Sequence, residues 1–360
     1  MNITFLIGNG FDLGLGLKTK FSDFLPIYLK TESKNFNILK FKEEIRNKIE
    51  NWSDFELQLG AYTEEFGAED WEKFIEQKRD FEKQFMKYLK QEQAKVKYDT
   101  NDLNFFAKGL YFFEKSNILR DRPLKLVKSE ISNRDIIFNF INFNYTDTLI
   151  RIVVNVFRQN LIKNQKRSKG STDRDRIGDF AYVHGSIDKS PIIGVDNKMQ
   201  IKNPDFAKNI DLCEMLVKHD FDKMIQRDFE EDAEKIIDNS DIICVYGMSL
   251  GETDTQWWQY LLDWLINADY RQLIIFNWDN KYIDDDYGWQ RKYKKLRNHI
   301  LDITGYKGNI NQSNVERIHF AINKNIFECD MVNNKNEIQD SNVIKEFNKE
   351  EQTGENKNAG

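Results

Sequence analysis

The sequence predicts an α/β protein: a mostly parallel sheet with helices on both faces and a helical insertion after the first strand. Three observations predict it. Short aliphatic runs recur along the chain, helical stretches separate most of them, and residues 35–120 interrupt that rhythm with aromatic residues at three- and four-residue steps. The chain has 360 residues, 40% hydrophobic and 13% aromatic, which is enough for a sizeable core.

The expected strands, in order, are 3–7, 136–143, 180–183, 192–195, 242–246, 272–277 and 317–322. Near-continuous apolar runs suit strands covered on both faces, as in parallel sheets. Within the interruption, Trp71, Phe74, Ile75, Phe81, Phe85, Tyr88 and Leu89 define one apolar helix face. Residues 1–34 and 121–330 are therefore expected to form the sheet domain, 35–120 the helical insertion and 331–360 a frayed, Asn-, Lys- and Glu-rich tail. Segment 163–176, with six basic and two acidic residues, reads as a solvated loop.

Composition excludes several classes. With 53 basic and 59 acidic side chains, net −6, no global attraction to nucleic acid or to an anionic membrane is expected. Three cysteines, Cys213, Cys244 and Cys329, show no CxxC pairing, which argues for a reducing compartment and against a disulfide scaffold. The apolar start, Met1 to Ile7, is too short for a signal peptide or a membrane span. A cytoplasmic location is the expectation. No pair of histidines has metal-ligand spacing, so no metal site is expected.

Four turns carry candidate chemistry, each closing an apolar run. Gly8-Asn9-Gly10-Phe11-Asp12 follows the first strand, where glycines permit close approach of a ligand and exposed amides can hold phosphate. It does not fit G-x-G-x-x-G, since Leu13 takes the sixth position, and Gly16-Leu17-Lys18-Thr19 is no P-loop. Phe143-Asn144-Tyr145-Thr146 ends the second run; Thr146 reads as a helix cap, while Asn144 offers a donor and an acceptor at a strand terminus. Val183-His184-Gly185-Ser186 supplies a histidine suited to proton transfer near neutral pH. Gly247-Met248-Ser249-Leu250-Gly251 matches G-x-S-x-G, with Asp279 and His299 or His319 downstream in triad order, so a serine hydrolase using Ser249 is one alternative. Outside these turns, Ser53 and Glu56 of Trp52-Ser53-Asp54-Phe55-Glu56 read as a capping box.

Taken together and in this order, these turns, with Ser22-Asp23-Phe24 and Asp254, resemble the AbiH family of abortive-infection proteins. More distantly the set is similar to the Sir2-like fold, a Rossmann-like NAD-binding sheet. That resemblance implies that Gly8, Asn9, Gly10 and Phe11 form the phosphate loop, that Asn144 and His184 are a catalytic pair, and that Thr146, Gly247, Ser249 and Asp254 contact the nucleotide. Asp12 stands where Sir2-like proteins carry a small residue, and Lys18 where they carry proline; facing the ribose, Asp12 would stabilise a cationic sugar. The implied activity is cleavage of the nicotinamide N-glycosidic bond of NAD in phage defence, set off by a phage component, with a homo-oligomer as a further expected partner. A nucleotide sensor that binds NAD without cleaving it is the other alternative.

Overall fold

The computed structural model describes residues 1–327 except 132–133, 163–173, 189, 252–253, 284 and 307–309. The expected tail 331–360, Cys329 and most of segment 163–176 lie outside the described residues. The chain divides into two compact units: residues 1–15, 98–184 and 228–327 form one, and residues 16–97 and 185–227 the other.

The first unit holds the sheet. Its strands are β1 (Asn2–Ile7), β2 (Ile137–Asn142), β3 (Arg176–Tyr182), β4 (Ile242–Tyr246), β5 (Gln272–Asn277) and β6 (Ile318–Ile322). All pair in parallel, in the order β3-β2-β1-β4-β5-β6. This is the doubly wound, Rossmann-like arrangement expected from the continuous apolar runs.

Alternate residues of each strand feed opposite layers. On one face Phe5 packs against Phe112 and Phe327, and Phe140 stacks on Phe106 of the helix Thr100–Leu110. On the other, Leu6, Val245 and Ile275 share a core with Ile237, Trp258, Leu261 and Ile300 from the helices Phe229–Asp238, Thr255–Ile266 and Asp286–Ile303. None of the helices among the described residues is long and apolar enough to cross a membrane. Cys213 and Cys244 are buried free thiols.

The run 192–195 is not a strand. Only Val195 pairs, in an isolated bridge with Val217. A four-residue apolar run is too short for its period to distinguish a strand from a buried loop.

The second unit is helical and largely aromatic inside. The expected stripe lies on one helix, Trp71–Gln93, which buries Phe74, Ile75, Phe81, Phe85, Tyr88 and Leu89. Phe81 stacks on Phe55 at 3.7 Å, and Phe85 meets Phe24 at 5.2 Å. The return segment packs here as well: Asn203 donates to the carbonyls of Thr63 and Phe66, and Lys218 pairs with Glu56 at 2.8 Å. The helix Phe55–Tyr62 is capped by Asp54, which accepts from the Leu57 amide, and Glu56 pairs with Lys218; the side chain of Ser53, read with Glu56 as a capping box, lies outside what the structure describes. Replacing Phe81 with alanine is expected to destabilise the protein by about 3–5 kcal/mol, since a fully buried ring stacked in this cluster leaves a cavity. Urea unfolding measures this, and a loss under about 1 kcal/mol would contradict the packing described.

Candidate active site at the carboxyl ends of the strands

In a sheet of this order the strand order reverses between β1 and β4, the position outside whose carboxyl ends α/β sheets place ligands. The two glycine turns found in the sequence both stand there. The Gly8 amide donates to the Tyr246 carbonyl at 2.9 Å, and the Gly10 amide to the Gly247 carbonyl at 2.8 Å. A Cβ on Gly10 would fall 2.6 Å from Gly247 Cα, and one on Gly247 (φ +71°) would fall 2.7 Å from the Phe11 amide nitrogen. These glycines are required by backbone packed against backbone. The amides of Gly8 and Gly10, expected to hold phosphate, are bonded within the protein.

Asp12 sits on the short helix Gly10–Gly14 and is fully buried. One carboxylate oxygen accepts a 2.6 Å hydrogen bond from the Thr146 hydroxyl; the other has no protein partner. Burial pushes its pKa up to about 7, against the lowering effect of the Thr146 bond. Thr146 thus serves Asp12 rather than capping the next helix, Thr148–Arg158, whose N-cap is Asp147, with no side-chain cap bond.

Asn142, the last residue of β2, shapes the loop that follows. Its side-chain oxygen accepts from the Asn144 amide at 3.2 Å, and its nitrogen donates to the carbonyls of Asn144 and Thr146. Asn144 is held buried, yet neither end of its own side-chain amide has a protein partner. Such groups are expensive, about 1–3 kcal/mol each when left unsatisfied. Asparagine is also a poor strand former, and Asn142 at a strand terminus was the signal for this positioning role that the sequence reading passed over.

His184 follows β3 and is 8% exposed. Its ring lies edge-on to Phe143 at 5.7 Å and near Tyr145 at 6.3 Å, which ties the ends of β2 and β3 together. Its Nε2 stands 3.5 Å from an Asp254 carboxylate oxygen, just ahead of the helix Thr255–Ile266. Asp254, expected to touch nucleotide, therefore faces the histidine. Asp12, Thr146, Asn144, His184 and Asp254 form one connected group, linked by the Asp12–Thr146 bond, the Asn142-held loop and the His184 contacts.

The elements of a serine hydrolase do not assemble around Ser249. Ser249 is exposed, in a turn separated from the helix Thr255–Ile266 by several residues rather than on a tight strand-to-helix elbow. Asp279 is paired with Lys292 at 2.7 Å. His299 bonds the Leu250 carbonyl and His319 bonds Gln272, both at 2.8 Å. Burial, with Arg317 nearby, lowers the pKa of His319 to about 4 and keeps its ring neutral. Among the described residues, no group of three or more His, Cys, Asp or Glu is placed to hold a metal ion.

A cavity of 480 Å³ lies instead beside the edge strand β6, lined by Arg120, Leu126, Trp289, Tyr293 and Phe320. None of the strand-end residues above lines it, and its guanidinium groups are already matched, Arg120 with Asp286 and Arg122 with Glu316. Buried side-chain atoms without a protein partner lie at the strand ends, on Asp12 and Asn144.

The family model described as bacteriophage abortive infection AbiH matches residues 4–278. No curated protein matches the chain, and no solved structure does.

Proposed function

We propose a function for this chain, which belongs to the bacteriophage abortive infection AbiH family: it binds NAD across the β1/β4 crevice and hydrolyses the bond between nicotinamide and ribose. The observation that carries the proposal is the gathering of unpartnered buried polar atoms at the strand ends, on Asp12, Asn144 and Thr148. A ligand rich in hydroxyls, as a ribose is, would satisfy them.

In the proposed reaction, a water oxygen bonds to ribose C1′ as the C1′–N bond breaks. The bond pair leaves with the nicotinamide nitrogen, which passes from cationic to neutral, so the leaving group needs no acid. The water's proton goes to His184, held in place by Asp254 on one side and Phe143 on the other. Asn144 orients the water or the ribose hydroxyls. Asp12, ionised, faces the developing oxocarbenium charge, as carboxylates do in glycoside hydrolysis. Burial, by raising its pKa to about 7, favours the neutral form and so weakens its repulsion of a pyrophosphate.

The test in cells is the NAD pool after phage challenge. It should collapse in cells carrying the wild-type protein; a steady pool with protection intact would favour a sensor that binds NAD without cleaving it. Ser249, exposed in the Gly247 turn, is assigned a binding contact only. Ser249→Ala should weaken NAD binding by about 0.5–1.5 kcal/mol and leave turnover at saturation unchanged. Loss of turnover, with wild-type Ser249 labelled by a fluorophosphonate, would restore the hydrolase alternative.

A further inference from the structure

We propose that Trp278 is the platform on which the purine ring of the bound dinucleotide stacks; this rests on the nucleotide reading above. In the β4–β5 pair Tyr246 lies opposite Phe276, and Trp278 follows directly on the carboxyl end of β5, as the Gly247 turn follows on that of β4. Trp278 is 67% exposed, whereas Trp257, Trp258 and Trp264 of the same unit are at most 6% exposed. An exposed indole forfeits its large apolar surface to water.

The exposed ring is nonetheless hydrogen-bonded. Its N–H donates to Asn280 Oδ1 at 2.6 Å, which satisfies its one polar atom. The next residue is pinned from three sides: the Asp279 amide donates to Asn323 Oδ1 at 2.7 Å, Asn323 Nδ2 donates to the Asp279 carbonyl at 2.9 Å, and Lys292 pairs with the Asp279 carboxylate. A flat ring, satisfied at its polar edge and anchored at its backbone, is preorganised for stacking. Beside it, Asn277 Oδ1 at the end of β5 is a buried acceptor without a protein partner.

Position selects which ring of the dinucleotide stacks there. Asp12, Asn144 and His184 lie at the ends of β1, β2 and β3, on one side of the point where strand order reverses, and Trp278 follows β5 on the other. Dinucleotides lie across that point. With nicotinamide at the reacting group, the purine falls toward β5.

The experiment is calorimetric titration of the purified full chain with ADP-ribose, which lacks nicotinamide, and with nicotinamide mononucleotide, which lacks the purine. Trp278→Ala should weaken ADP-ribose binding about tenfold or more, Trp278→Phe should retain most of it, and mononucleotide affinity should stay at the wild-type value in both. Equal ADP-ribose affinity in wild type and Trp278→Ala would overturn the platform and leave the nucleotide reading standing. So would an unchanged affinity accompanied by dissociation of an oligomer, which would make the ring a protein contact. A wild-type protein that binds neither probe would overturn both.

Discussion

On the proposed mechanism, replacing His184 with alanine is expected to lower NAD cleavage by about 10²- to 10⁴-fold and to abolish protection against phage, because the proposed general base is lost. The ring lies where β2, β3 and the helix Thr255–Ile266 meet, with its Nε2 turned toward Asp254. Asn144→Ala should cause a loss of similar size without a loss of stability. The Asn144 amide is buried without a protein partner, so removing it relieves an unsatisfied group, and the variant should unfold no more readily than wild type. A residue that is neutral or harmful to the fold and necessary for the reaction is held for its ligand. Activity assays paired with urea unfolding of both variants check this. Wild-type protection from folded His184→Ala or Asn144→Ala protein would remove them from the catalytic group.

Asp12→Asn is expected to change how stability depends on pH. Burial raises the Asp12 pKa from 3.8 to about 7, so the folded state holds its proton more tightly than the unfolded chain. The stabilisation that follows is complete below about pH 4 and is lost as pH rises through about 7. The span amounts to about 4 kcal/mol. Asparagine is nearly isosteric, can still accept from the Thr146 hydroxyl and does not titrate. Asp12→Asn should therefore be the more stable protein at pH 8 and should lack the decline of wild type between about pH 4 and 7. On the proposed mechanism it should also cleave NAD poorly, having lost the carboxylate proposed to face the sugar. Unfolding curves that run parallel for the two proteins across that range would show that Asp12 is already ionised when buried.

Much of the sheet was legible because parallel strands covered on both faces must be apolar along their whole length. Runs such as 242–246 and 272–277 coincide with β4 and β5. β3 starts earlier than its apolar core, at Arg176, because an edge strand tolerates exposed polar residues that blur the pattern. Segment 185–227 joins the helical unit through contacts such as Asn203 to Thr63 and Lys218 to Glu56, well over a hundred residues apart, and such contacts leave no local periodicity to read.

The site was legible where position alone marked it. Asn144, His184 and the glycine turns end strands, and strand ends are where α/β sheets place ligands. Partnerships were less visible. Thr146 looked like a helix cap until the fold brought Asp12 to its hydroxyl, and Asp254 faces His184 across about 70 intervening positions. A local hydrogen-bonding preference gives way when a buried carboxyl group needs the same donor.

The most direct test of the central claim is incubation of the purified wild-type protein with NAD, followed by chromatographic measurement of free nicotinamide. Nicotinamide and ADP-ribose should form in equal amounts with wild type and be nearly absent with His184→Ala. NAD that remains intact with folded wild-type protein, under conditions in which that same preparation binds NAD, would contradict cleavage and leave the crevice as a binding site alone.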